Sequence, residues 1–161
     1  MEEQPGRVES RVFLVVVDES PEMPNALRYA CRRAKRTGGR VAMLYVMPPP
    51  ETQQWGAVAD LMREEARQQA EQTVSGLVDQ VAALTGSPPI LHFREGQRRD
   101  ELLKLIAEDP SISVLVLAAG AGADGPGPLV SALAGKYAGA LRLPLTIVPG
   151  SLGDAEIDAI S

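Results

Sequence analysis

A single cysteine, Cys31, excludes an internal disulfide and makes a reducing compartment the expectation. Aromatic residues are only 4% of the 161-residue chain, so its core has to be aliphatic. That scarcity also argues against a surface that stacks the bases of single-stranded nucleic acid. Positive charge is in deficit: 16 bases against 21 acids leave a formal net charge of −5, the wrong sign for a duplex-binding footprint. The one histidine, His92, has no nucleophile or carboxylate that the sequence places beside it, and a packing role on an edge strand is expected. No apolar run approaches the length of a membrane span. Met1–Ser10 is polar and acidic, unlike a signal peptide. The expectation is a soluble, cytoplasmic protein with one domain and with no nucleic-acid or membrane partner.

What is present is a series of short aliphatic runs separated by helical patterns. Val12–Val17 is wholly apolar and β-branched, as a strand buried on both faces requires. Met23–Arg36 reads as a helix with Pro24 in its first turn and Gly38-Gly39 at its end; Leu27, Ala30, Cys31 and Ala34 share one face. Val41–Met47 is a second strand, and Val58–Leu84 a long helix ended by Gly86 and Pro88-Pro89. Ile90–Arg94 is an edge-type strand, followed by a helix with Asp100 as its expected cap and Pro110 as its stop. Val114–Ala119, a fourth helix and Leu145–Val148 complete the series. Strands alternating with helices predict a parallel sheet covered on both faces, with ligands at the carboxyl ends of its strands. The basic cluster Arg28, Arg32, Arg33, Lys35, Arg36 and Arg40 suits the negative end of a helix and reads as a solvated face.

After the fourth strand comes a loop of small residues, Gly120-Ala-Gly122-Ala-Asp124-Gly125-Pro-Gly127-Pro128. Glycines let backbone approach a ligand closely, and amide N–H groups ahead of a helix can cradle a phosphate. A compact turn kept small for packing is the competing reading. Gly120-x-Gly122-x-x-Gly125 also spells a dinucleotide fingerprint, but it follows the fourth strand and lacks the acid that should come about 20 residues later. Gly135-Lys136 is not a P-loop, since Val130 stands where the first glycine belongs. A phospho-accepting regulator fold is disfavoured by Arg94 and Pro149 at the strand ends where its acid and lysine belong. Trp55, between the second strand and second helix, is either a lid over the sheet's end or an anchor for its loop. The residues supply no catalytic constellation and no metal-ligand spacing.

In order along the chain, several segments resemble the universal stress protein family. They are Val16-Val17-Asp18-x-Ser20, Ala26-Leu27-x-x-Ala30, Ala42-Met43-Leu44-Tyr45-Val46, Glu95-Gly96, Glu101-Leu102-Leu103 and Leu143-Pro144-Leu145-Thr146-Ile147-Val148. Gly122-x2-Gly125-x9-Gly135 matches the glycine spacing of the family's ATP-binding branch, with Lys136 in place of the hydroxyl residue. The resemblance covers residues 11–149, between an N-terminal segment, 1–10, and an acidic tail, 150–161, that is either a short helix or disordered. It implies a Rossmann-like, doubly wound α/β fold: five parallel strands in the order 3-2-1-4-5 with helices on both faces.

The resemblance further implies a stress-response module that binds ATP or AMP, with Mg²⁺, and at most hydrolyses ATP slowly. The purine would lie near Val16, Asp18 and Val46, and the phosphates against Gly120, Gly122, Gly125, Gly135 and Lys136. Asp18 could equally cap the first helix together with Ser20. The alternative function is a dimeric interaction protein of the same fold that binds no nucleotide. Homodimerisation through the last strand is implied in either case, unless the acidic tail covers that edge.

Overall fold

The structure, a computed structural model, describes residues 10–49 and 56–161. Trp55 and nearly all of the N-terminal segment fall outside those residues. The elements run β1 (Val12–Val17), α1 (Met23–Thr37), β2 (Arg40–Met47), α2 (Ala57–Thr85), β3 (Ile90–Glu95), α3 (Arg98–Glu108) and β4 (Ile112–Ala119). They continue with α4 (Pro128–Ala134), a 3-10 turn (Ala138–Ala140), β5 (Leu145–Pro149) and α5 (Asp154–Ile160). The sheet is parallel throughout in the order β3-β2-β1-β4-β5, as expected.

Alternation along the central strands divides the core in two. Phe13, Val15, Val17, Val41 and Met43 face α1, α2 and α5, meeting Leu27, Ala30, Cys31, Val74 and Ile157. Leu14, Val16, Ala42, Leu44 and Val46 face α3 and α4, meeting Leu102, Leu105, Ile106, Val130 and Leu133. All six residues of β1 are buried, because its two faces both carry helices. Among the described residues, no helix is long and apolar enough to cross a membrane.

The ends of the elements follow local chemistry, with two corrections. α1 stops at Gly38, whose φ of 68° is the left-handed conformation that glycine adopts freely. Asp100 does not cap α3: the helix starts earlier, with Gln97 at the N-cap, and Asp100 lies in its first turn. Asp18 does not cap α1 either. Glu22 holds the N-cap position, while Asp18 Oδ1 accepts bonds from Ser20 N (2.9 Å) and Ser20 Oγ, closing the turn after β1.

The acidic tail is ordered. Residues 154–160 form α5, which packs on α1, and Ile157 is fully buried. The supposed solvated basic face is what receives it. Arg28 and Arg32 both donate to the Asp158 carboxylate, and Arg36 donates to the Asp158 carbonyl at 3.0 Å. These bonds, first from Arg28 and then from Arg32, hold the Asp158 carboxyl well below the usual carboxylate range. Asn25 Nδ2 fastens the connection before α5 by donating to Pro149 O and Leu152 O at 3.2 and 3.1 Å.

Candidate functional site

The sheet order reverses at β1, where β2 departs to one side and β4 to the other. Connections leaving a switch point in opposite directions open a crevice beyond the carboxyl ends of the strands. Here it is a cavity of about 420 Å³. Val16, Val17 and Asp18 from β1, Tyr45 and Val46 from β2, and Val116–Ala118 from β4 form its floor. Thr73 of α2 and Arg98 of α3 reach it from the β2 side. Glu19 and Glu22 border it ahead of α1 and Met23 at the start of that helix, and Pro126–Val130 close it beside β4.

Three of the residues read from the sequence as binding residues, Val16, Asp18 and Val46, come together on this wall. Gly120, Gly122, Gly125, Gly135 and Lys136 are not among its lining residues; from the glycine-rich loop, Gly127 is. The loop folds on itself. Gly120 N donates to Pro126 O at 3.1 Å and Gly125 N to Gly122 O at 3.2 Å. A β-carbon on Gly120 would lie 2.7 Å from Gly125 O, so this glycine is required by the loop's own closure. Gly125 and Gly127 have φ of 82° and 100°, which side chains resist. Gly122 has neither constraint, since a β-carbon there would meet nothing within 4 Å. Gly135 ends α4 where a β-carbon would lie 2.7 Å from Ser131 O, and Lys136 points its ammonium over the Tyr137 ring, 5.5 Å from the centroid.

Glu22, Arg98, Thr73 and Gly127 were not anticipated. Glu22 was legible in principle, because it follows the carboxyl end of β1 by only a few residues. Arg98 and Thr73 reach the crevice only through the packing of α3 and α2, which no local pattern encodes. Among the described residues the crevice thus carries three acids, Asp18, Glu19 and Glu22, against one cation, Arg98. No group of three metal-ligating side chains occurs among the described residues.

His92 and Cys31 stand apart from the crevice. His92 Nε2 is buried on β3 with no hydrogen-bond partner among the described residues. Burial lowers its pKa; Asp109 opposes that shift and Arg94 adds to it. Cys31 is fully buried on α1, and burial pushes its thiol up to about 12.

Such a sheet, with a crevice at its switch point, defines a doubly wound α/β protein. The sequence profile of the Universal stress protein family matches residues 9–148, and the chain belongs to that family. No curated protein matches it in sequence. Among solved structures, it is similar to the universal stress protein UspA from Lactobacillus plantarum, with TM-score 0.69 and 16% identity over 88% of this chain and 99% of the other. It is also similar to a universal stress protein in complex with cAMP, with TM-score 0.63 and 17% identity over 89% and 99%. A family protein from Arabidopsis thaliana with AMP bound gives TM-score 0.58 and 12% identity over 86% and 91%. At these identities the likeness carries the fold, which agrees with the observed strand order.

Proposed function

We propose that this universal stress protein binds an adenine nucleotide in the crevice at the end of β1, as a signalling module rather than an enzyme. The carrying observation is that Val16 and Asp18 at the end of β1 and Val46 at the end of β2 line one cavity of about 420 Å³. The purine lies against the aliphatic floor of Val16 and Val46. Both Ser20 bonds to Asp18 fall on Oδ1, so neither engages Oδ2, which can accept from a ribose hydroxyl or an adenine amino group. Relatives of the same fold with cAMP and AMP bound support an adenine ligand. AMP and ATP are the candidates. Mg²⁺ would have to come with the phosphates of ATP, because the described residues supply no three-ligand cluster. The test is calorimetry with AMP and ATP, with and without Mg²⁺. Saturable heat is expected, and its absence at millimolar nucleotide would remove this reading.

The self-closed glycine loop and the surplus of acid favour a second reading, a nucleotide-free interaction module. Nucleotide released on denaturing the purified protein, seen as absorbance near 260 nm, would exclude it.

In both readings we propose a homodimer formed through β5, an edge strand on which Ile147 is 39% exposed. The tail packs on α1. Light scattering is expected to give twice the chain mass, and Ile147→Lys to shift it to the monomer. A monomer in the unmodified protein would count against pairing through this strand.

A further inference from the structure

Glu22 borders both the crevice and the glycine-rich loop. A β-carbon placed on Gly120 would lie 3.4 Å from Glu22 Oε1, and one on Gly127 would lie 4.0 Å from it. The carboxylate therefore rests against both ends of the loop, at the mouth of the crevice it also lines.

Its position is fixed from several sides. Glu22 is the N-cap residue of α1, and its carbonyl accepts from Asn25 N at 2.9 Å. The Asn25 side chain is tied in turn to Pro149 O and Leu152 O. Gly150 leaves room for the Glu22 stem: a β-carbon there would lie 3.0 Å from Glu22 Cβ and 2.5 Å from Ala119 O. Glu22 is half-buried, and among the described residues no ion pair neutralises it.

We propose that Glu22 is a specificity-determining residue that makes the crevice discriminate by phosphate number, accepting adenosine or AMP and disfavouring ATP. The inference rests on the adenine-nucleotide reading given above and deepens it. The physics is like-charge repulsion at short range in a partly desolvated cleft, which grows with each phosphate directed at the loop. Asp18 and Glu19 add to the same field, while Arg98, on the β2 side, is the single lining cation among the described residues. The repulsive element does what attractive contacts to adenine cannot, since those are common to all three ligands.

The experiment titrates adenosine, AMP and ATP into the unmodified protein and into Glu22→Gln, all without Mg²⁺, at low and at high NaCl. The expected result is weaker binding of ATP than of adenosine in the unmodified protein. In Glu22→Gln the ratio of ATP to adenosine affinity rises about tenfold, as removing one nearby charge predicts. A second readout needs no variant: salt screens the repulsion, so the same ratio rises with NaCl in the unmodified protein. If adenosine binds and the ratio is unchanged by both Glu22→Gln and salt, the proposal is overturned while the crevice reading stands. If no ligand binds either protein, the crevice reading itself falls and takes the proposal with it.

Discussion

Arg28 and Asp158 meet side-on: Nε and Nη2 of the guanidinium each lie 2.8 Å from a different oxygen of the carboxylate, across 130 positions of sequence. Arg32, one turn further along α1, addresses the same two oxygens at 3.0 and 2.8 Å. Paired two-pronged contacts of this kind fix orientation as well as attract. They set α5 in place over the apolar contact made by Ile157. Removing that contact is expected to cost more than removing the charge. Ile157→Ala opens a cavity in a fully buried site and should destabilise by about 2–5 kcal/mol. Asp158→Asn should lower Tm by less and speed amide exchange in α5. An unchanged Tm for Ile157→Ala would contradict the docking of the tail.

The acid limb of stability follows from the same carboxylate. Folding holds Asp158 below its ordinary pKa of 3.8, so as pH falls the unfolded chain takes up that proton first. The contribution is therefore complete above about pH 5 and is lost as pH drops below the ordinary value. His92, also depressed, adds a separate step with the same sign: the unfolded chain protonates near 6.5 while the buried ring resists. Stability should thus fall from pH 7 toward 5 through His92, and again below 4 through Asp158. Denaturant titrations at several pH values check this. In Asp158→Asn the lower step should shrink while the upper one persists.

The fold was open to sequence reading because each of its strands is a short aliphatic run bounded by a helix stop or a turn. Val12–Val17, with helices over both faces, has no other plausible state. The tail was harder, since its seven-residue helix is specified less by periodicity than by Arg28 and Arg32 more than a hundred positions away. Those arginines looked like a solvated face because their partner is remote. The crevice was half-legible. Val16, Asp18 and Val46 stand at strand ends, which topology brings together. Thr73 and Arg98 arrive by helix packing, and the glycine loop's closure on itself depends on backbone bonds that glycine spacing alone does not reveal.

Cys31 should behave as an inert reporter of unfolding. It is fully buried, and its thiol is pushed up to about 12 by that burial, so almost no thiolate exists at pH 8. A disulfide-exchange reagent at pH 8 is expected to leave the folded protein unlabelled and to label one thiol per chain in denaturant. Labelling on mixing with the native protein would show that α1 does not cover this face.

The glycines of the loop separate packing from binding. Gly120→Ala forces a β-carbon against Gly125 O and should destabilise the protein or displace the loop, whatever the ligand. Gly125→Ala meets no atom within 4 Å but must hold a φ of 82°, at a cost of about 1 kcal/mol. Gly122→Ala meets neither obstacle and should leave Tm unchanged. That makes Gly122 the diagnostic position. If its backbone approaches a bound phosphate, as the family spacing implies, alanine there weakens AMP relative to adenosine at constant Tm. Where the phosphate lies instead beside Gly127, at the wall of the crevice, the affinities of both ligands stay as they were. Calorimetry on this one variant therefore decides whether the ligand touches Gly122.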